Sequence, residues 1–152
     1  MRSRVRVEGL DELHKNLQQF GVNAERELSQ IVNATAQAVR TRAIRSIQQG
    51  PKSGAVYERG SGRNLSALHQ ASAPGEAPAT DTGTLANSIA VQRLGPLSAR
   101  VGTGIRYGQY LEFGTQSIEP RPWLWPAATA ERDNYRRRMD GLVDRAARGM
   151  TV

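Results

Sequence analysis

The sequence predicts an α+β fold, in which a small antiparallel sheet packs with a long N-terminal helix and a C-terminal helix, and a long extended loop forms an arm. Three observations predict it. Apolar residues recur at spacings of three and four towards both ends of the chain, two segments between them alternate in polarity, and residues 50–80 are rich in Gly, Ser, Pro and Ala. A length of 152 residues suits one domain, so we expect residues 1–152 to form a single unit.

The N-terminal part reads as a short strand followed by two helices. Val5 and Val7 alternate with arginines, and Gly9 ends the strand. A first helical stripe follows and should end at Gly21, and it contains Leu10, Leu13, Leu17 and Phe20. A longer helix should run from Asn23 to about Gln49, with Arg40 and Arg45 on its polar side. Its apolar stripe contains Leu28, Val32, Thr35, Val39, Ala43 and Ile47.

Residues 50–80 form a segment too long for an ordinary connection inside a compact domain. Tyr57, Leu65 and Leu68 are its few apolar anchors, and prolines in its second half favour extended backbone. We expect a mobile loop or arm that becomes ordered against a partner.

The segment after the loop should contain a short helix, a hairpin and a final helix. A side-chain cap within Asp81–Leu85 should start the short helix. Ile89 and Val91 alternate on one strand, and Ala99, Val101 and Thr103 on the next, with a turn at residues 95–98. A helical pattern begins after Pro122, and its apolar stripe contains Ala127, Ala130, Met139, Leu142, Val143 and Ala146.

Catalytic and cofactor signatures are absent from the sequence. There is no cysteine, and His14 and His69 lie far apart, so we expect no metal site and no cofactor. The glycines at 102, 104 and 108 do not match a phosphate-binding spacing, and read as strand ends and tight turns. Glu112 and Glu119 are more plausible as salt-bridge or capping residues than as an acid–base pair. We therefore predict that the protein is not an enzyme and has no catalytic residues.

The charge balance permits an acidic partner. Lys and Arg number 21 against 14 Asp and Glu, a net charge of +7. Arg45, Lys52, Arg59 and Arg63 lie in or beside the loop, and are candidates to face DNA or an acidic neighbour. A solvated arginine-rich surface is the simpler alternative, and an independent basic nucleic-acid-binding module is another, although no recognition-helix or zinc-finger pattern supports it. No apolar stretch suits a membrane span or a signal sequence, so we expect a soluble, unexported protein without a membrane partner.

Several sequence blocks occur in an order that resembles the neck or tail-completion family of tailed bacteriophages, also known as minor tail components. The blocks are Gly9–Leu13, His69–Pro78, Asp81–Ile89, Tyr107–Thr115 and Arg121–Ala127. The residues that carry the resemblance are Asp81, Thr82, Gly83, Leu85, Ser88, Ile89, Tyr107, Tyr110, Glu112, Phe113, Gly114, Thr115, Pro122, Trp123 and Pro126. Two positions depart from the pattern: Gly108 stands where the family commonly has alanine, and Trp123 where it commonly has phenylalanine.

The resemblance implies a structural virion protein at the head–tail connection, acting in the neck, in tail completion or as a tail terminator. It implies a homo-oligomeric ring, with six copies as the family-based expectation, and other phage neck and tail proteins as partners. Non-specific contact with packaged DNA and assembly in the host cytoplasm before incorporation into the virion belong to the same expectation. The aromatic residues of the last two blocks have two open interpretations, core packing or ring contacts. They are Tyr107, Tyr110, Phe113, Trp123 and Trp125.

Overall fold

The structure, a computed structural model, describes residues 10–59 and 67–148, without the side chains of residues 10–17, 59, 67 and 147. It confirms the predicted α+β class, with two small antiparallel sheets between a long first helix and a long last helix. The elements in chain order are α1 (Leu10–Gln49), β1 (Val56–Arg59), β2 (Ala67–Gln70), α2 (Thr84–Ser88), β3 (Ile89–Gly95), β4 (Ser98–Thr103), α3 (Arg106–Phe113) and α4 (Trp125–Ala147). The strand predicted at Val5 and Val7 lies outside the described residues.

Helix α1 is one continuous helix of 40 residues, so the predicted break at Gly21 is wrong. Gly21 does not adopt a positive φ, and no proline interrupts the surrounding residues. An internal glycine costs a helix only about 1 kcal/mol relative to alanine, which favourable neighbours can offset. The helix ends where predicted: the Gly50 amide donates to the Ser46 carbonyl at 2.9 Å, and Pro51 follows. Its length is about 60 Å at 1.5 Å per residue.

Helix α4 packs antiparallel along α1. Two ion pairs fix the direction, because Arg42 binds Glu131 at 2.7 Å near the start of α4, whereas Glu27 binds Arg145 near its end. Part of the predicted stripe faces α1: Ala127 and Leu142 are buried. Ala130 and Val143 are exposed instead. The carboxylate of Glu131 is among the buried groups, and the Arg42 guanidinium that donates to it at 2.8 Å holds the pKa of this carboxyl below its usual value.

Strands β3 and β4 form the predicted hairpin, with Ile89 paired to Thr103 and Val91 to Val101. The two strands pack on α1. Arg40 of α1 donates from Nε to the Ile89 carbonyl at 2.8 Å and is only partly exposed. Arg40, predicted on the polar side of the helix, thus contacts the hairpin and is partly buried, whereas Arg45, predicted on the same side, is exposed.

The segment 50–80 contains a hairpin that the sequence did not indicate. Strands β1 and β2 pair antiparallel, with Tyr57 opposite His69 and Glu58 opposite Leu68. The rings of Tyr57 and His69 lie 5.2 Å apart between their centroids, in a tilted arrangement. Residues 60–66, between the two strands, lie outside the described residues.

Residues 71–80 return along the body of the domain. The Gly75 amide donates to the Pro120 carbonyl at 2.9 Å, and the Thr80 hydroxyl to the Ile47 carbonyl at 2.9 Å. Glu76 accepts from the Ser53 hydroxyl at 2.6 Å and from the Ala73 amide at 2.8 Å. The hydrogen bond from Ser53 is the main cause of a lowered pKa for the Glu76 carboxyl. Whether residues 50–80 are mobile in the free subunit stays a prediction, but these contacts give the returning half defined attachment points.

The core lies where the C-terminal half of α1 meets α2, the start of β3 and the start of α4. It is built mostly from small and aliphatic residues, and Ile47 and Ile89 are its largest fully buried side chains among those described. Its buried members are Val39, Ala43, Ile47, Leu85, Ala86, Ile89, Trp123 and Ala127. Of the helices in the described part of the chain, none is both long enough and apolar enough to cross a membrane.

Candidate functional site

The block Tyr107–Phe113 belongs to a helix, α3, that the sequence analysis did not predict. Gly108 lies inside this helix and is buried, so its assignment to a strand end or tight turn was wrong. A Cβ atom at Gly108 would lie 2.6 Å from Thr103 Cγ2 and 3.0 Å from Leu85 Cδ1, both closer than a stable contact allows. The glycine therefore lets α3 approach β4 and α2 directly.

Trp123 fills the space beside this close approach. Its side chain is only 3% exposed, and its Nε1 donates to the Gly108 carbonyl at 3.0 Å. Its Cζ2 atom lies 3.7 Å from the position of a Cβ at residue 108. The two departures from the family pattern, a smaller residue at 108 and a larger one at 123, are thus neighbours in space. Together, a glycine at 108 and a tryptophan at 123 fill a space that an alanine at 108 and a phenylalanine at 123 would fill in the common family pattern.

Glu112 caps the start of α4 from the end of α3. Its buried carboxylate accepts the backbone amides of Trp123 at 2.8 Å, Leu124 at 2.9 Å and Trp125 at 2.8 Å. The first amides of a helix have no partner within the helix, and negative charge is favourable at that end. Leu124, the residue before the helix, offers no side-chain cap, so Glu112 supplies it. The sequence-based expectation that Glu112 is a capping residue is confirmed.

The Asp81–Ile89 segment forms α2 and ties it to the sheet. Gly83 precedes the helix with φ 76° and has no side chain to cap it, but the Thr82 hydroxyl accepts the amide of Thr84, the first residue of α2, at 3.4 Å, as the predicted side-chain cap requires. The Thr82 and Thr84 hydroxyls lie 2.5 Å apart. The Ser88 hydroxyl lies 2.7 Å from the Leu85 carbonyl, to which it donates, and 2.6 Å from the Thr103 hydroxyl. The short helix is therefore bonded to β4 through Ser88.

Gly114 turns the chain out of α3 and towards α4. Its φ of 75° suits glycine, and a Cβ there would lie 2.8 Å from the Ile118 carbonyl oxygen. The Thr115 amide donates to that carbonyl at 2.8 Å, and the Thr115 hydroxyl accepts the Ile118 amide at 3.1 Å. This loop leads to the start of α4, which Glu112 caps. Pro122 precedes the helix and is half-buried, and Pro126 lies in its first turn.

These contacts bring several of the family-pattern residues together in one place. We call it the α3–α4 junction, defined by Leu85, Thr103, Gly108, Glu112 and Trp123. Its groups hydrogen-bond or pack against one another inside the domain, as the contacts above show. The junction therefore positions the surfaces around it.

The aromatic block divides between core and surface. Trp123 alone is buried, whereas Phe113 is 74% and Trp125 is 72% exposed. Tyr107 and Tyr110 are exposed as well. The core interpretation is confirmed for Trp123, whereas the other four aromatic side chains are presented to solvent around α3 and the start of α4, and for them ring contact stays a prediction.

An open groove lies beside the junction, between α1, β4, α3 and α4. It encloses about 1060 Å³ and its walls are mainly apolar. We call it the α1–α4 groove, and define it by Val32, Val101, Phe113, Trp125 and Tyr135. Two arginines and two glutamates also line it: Arg106 and Arg132 are exposed, whereas Glu112 and Glu131 are buried and already hydrogen-bonded to Trp123 and Arg42. The exposed charge of the groove is therefore positive.

Of the four basic residues predicted to face DNA or a partner, the structure describes the side chains of two. Arg45 is exposed on α1, and Lys52 Nζ approaches the Gln48 carbonyl at 3.5 Å. The side chain of Arg59 and all of Arg63 lie outside the described residues. Among residues 10–59 and 67–148, no group of three or more acidic or histidine side chains is arranged to hold a metal ion.

Comparison with known proteins decides the family. A family model described as "Bacteriophage HK97-gp10, putative tail-component" matches residues 11–114. The chain belongs to this HK97-gp10-like family. The match covers α1 to α3 and ends at Gly114, so the α4 half of the junction lies beyond it. No curated protein and no solved structure matches the chain.

Membership confirms the predicted resemblance to phage tail proteins. An HK97-gp10-like chain is a structural tail component, and such a component acts with other phage structural proteins in the virion. The family is thus structural rather than enzymatic.

Proposed function

We propose that the chain is a subunit of the phage head–tail connection, acting in the neck, in tail completion or as a tail terminator, and that it functions as one member of a closed ring. Family membership supports a tail component, and the ordered sequence blocks support the neck position. Six copies is the expected number. Assembly takes place in the host cytoplasm before the ring joins the virion.

The exposure of large aromatic side chains around α3 and the start of α4 is the observation that carries the ring proposal. Phe113 is 74% and Trp125 is 72% exposed, and Tyr107 and Tyr110 are exposed as well. Groups of large exposed apolar side chains often mark protein–protein interaction sites on soluble proteins. Contacts with neighbouring copies would bury these side chains.

The exposed aromatic side chains support a contact surface around α3 and the start of α4. Large aromatic residues are enriched among the few that dominate binding energy at protein interfaces. Phe113 and Trp125 lie at the α1–α4 groove, with Tyr107 and Tyr110 on the same helix as Phe113. The rigid junction beneath them holds these side chains in place before binding, which lowers the entropic cost of association.

Contact with packaged DNA is a subsidiary part of the proposal. The net charge of +7 favours it, and Arg45 is exposed. We expect joint replacement of Arg45, Lys52, Arg59 and Arg63 by serine to reduce DNA retention by the assembled ring in a salt-dependent manner. Unchanged retention and unchanged assembly across a salt series would assign these residues to a solvated surface.

Native mass measurement over a concentration series tests the ring itself. We expect monomers at the lowest concentrations and a single closed species above a threshold, because a ring gains one extra contact on closure. A ladder of open oligomers without a preferred size would contradict closure. A monomer with tight, salt-sensitive DNA binding would instead support the independent nucleic-acid-binding module.

A further inference from the structure

The β1–β2 hairpin lacks a packing partner within the described subunit. Its strands pair with each other, and no other described helix or strand packs extensively against them. An isolated two-stranded hairpin is at best marginally stable in water. A surface outside the subunit would therefore stabilise it.

One face of this hairpin is suited to an apolar surface. Side chains alternate between the faces of a strand, and the register places Glu58 opposite Leu68 and Val56 opposite Gln70. Val56, Glu58, Leu68 and Gln70 therefore share one face, with Tyr57 and His69 on the other. Leu68 is 74% exposed, and Val56 is exposed as well. The shared face thus combines two exposed aliphatic side chains with one carboxylate.

The α1–α4 groove has the complementary properties. Phe113 and Trp125 form apolar walls, while Arg106 and Arg132 put positive charge at its edge, where a carboxylate such as Glu58 would be favourable. No residue between 50 and 80 lines the groove, so the subunit's own described hairpin does not fill it.

We propose that the Val56–Leu68 face of the hairpin docks into the α1–α4 groove of a second copy, with Glu58 beside Arg106 and Arg132. This inference rests on the proposed ring and identifies its contact. The hairpin and the groove are different surfaces of one subunit, so the contact is head-to-tail. Repetition of a head-to-tail contact closes into a ring when its rotation permits.

The dimensions agree with a small contact repeated around a ring. Each strand spans four residues, which is about 13 Å, and two paired strands are about 5 Å apart. An aromatic side chain buries about 150–250 Å², so Phe113 and Trp125 together contribute a few hundred of the roughly 1,600 Å² of a standard interface. A single hairpin contact is therefore weak by itself. Closure, in which every subunit makes two such contacts, stabilises the assembly.

Two matched variants test the contact. Leu68→Lys alters the hairpin and Phe113→Lys alters the groove, and both side chains are highly exposed, so each variant should fold as the wild type does. Val143→Lys is the control, because Val143 is exposed on α4 but does not line the groove. Circular dichroism and the thermal midpoint of unfolding verify folding, and native mass measurement reports assembly.

We expect each variant to stay monomeric alone and the control to assemble. An equimolar mixture of the two variants contains one intact hairpin and one intact groove per pair, so it should give a 1:1 heterodimer, but only at concentrations far above the threshold for wild-type assembly, because a single contact is weak. Wild-type assembly by both variants would overturn the proposal, since neither surface would then be used. A mixture that forms no more dimer than either variant alone at those high concentrations would overturn it too, because the two surfaces would not meet.

A disulfide cross-linking experiment distinguishes a failure of the docking proposal from a failure of the proposed ring. The natural chain has no cysteine, so Leu68→Cys and Phe113→Cys introduced into separate copies can form a disulfide only with each other or with themselves. A mixed disulfide, absent when Val143→Cys replaces the groove variant, supports docking even if wild-type protein forms no closed ring. Closed rings without the mixed disulfide would refute docking and leave the ring standing.

Discussion

Glu112 gives the sharpest prediction about how this fold is held together. Glu112→Ala removes the carboxylate that accepts the amides of Trp123, Leu124 and Trp125, and so leaves the start of α4 without its cap. Glu112→Gln keeps the size of the side chain but replaces one acceptor oxygen with an NH₂ group, which then faces a backbone amide. The alanine variant removes the cap entirely, and the glutamine variant tests its charge and polarity.

The expected loss follows from the contacts. A hydrogen bond to a charged group contributes about 1.5–3 kcal/mol, and a buried donor left unpaired costs about 1–3 kcal/mol. The three bonds share one carboxylate, so they are not additive, and water reaches the partly exposed end of the helix. We expect Glu112→Ala to lower the free energy of unfolding by about 3 kcal/mol and Glu112→Gln by about 1–2 kcal/mol. Against a typical total of about 5–15 kcal/mol, the first change is large.

Urea denaturation at low protein concentration measures this, because association would otherwise add to the stability. Glu119→Gln is the control: it makes the same chemical change in an exposed glutamate seven residues further along the same connecting segment. A Glu112→Gln midpoint within error of the Glu119→Gln midpoint would refute the capping argument. If the slope of the unfolding free energy against urea concentration also changed, the compactness of the native or the denatured state would have changed as well.

Three further regions carry predictions. Gly108→Ala should lower the free energy of unfolding by about 1–3 kcal/mol by overpacking against Thr103, and adding Trp123→Phe should recover part of that loss in a double-mutant cycle. Trp123→Ala should cost about 3–5 kcal/mol of folding stability, whereas an unchanged midpoint with lost association would place this indole at an interface. The pKa of Glu131 is lowered from 4.5 in the folded state, so its charged form stabilises the fold above that pH, and this contribution is lost as the pH falls through the folded-state pKa. Glu131→Gln should therefore weaken the fall in the free energy of unfolding at acidic pH. An unchanged fall would contradict this reasoning. Hydrogen exchange should be fast over residues 50–80 in the monomer and slower in the assembly, and strong protection in a verified monomer would refute the arm.

The parts of the fold that sequence predicted have a strong and regular pattern. The β3–β4 hairpin follows from alternating residues on either side of a Gly-Pro turn, and its register matches. The end of α1 follows from Gly50 and Pro51, which stop a helix for local reasons. In these segments the local preference and the tertiary structure agree.

Other elements depend on contacts that a linear pattern does not contain. Gly21 resembles a helix end, but nothing after it favours a turn, and α1 continues. Helix α3 exposes its three aromatic residues and buries Gly108 and Glu112, which is the opposite of what an amphipathic pattern predicts for these positions. The β1–β2 hairpin presents few apolar residues, so its strands resemble a loop.

The candidate site shows the same division. Resemblance supplied Leu85, Glu112 and Trp123 of the α3–α4 junction, and capping chemistry suggested one role for Glu112. Thr103 was predicted only as a strand residue of the hairpin. The contact between Gly108 and Trp123 was visible in sequence only as two separate departures from the family pattern. The α1–α4 groove has no sequence signal, because α1, β4, α3 and α4 contribute to it from distant positions.

Electron microscopy of the purified protein, with particles classified by symmetry, tests the central claim most directly. A population dominated by closed rings of one size, with six copies, is the predicted result. Monomers or open chains without rotational symmetry, in protein shown to be folded and studied across a wide concentration range, would contradict the ring.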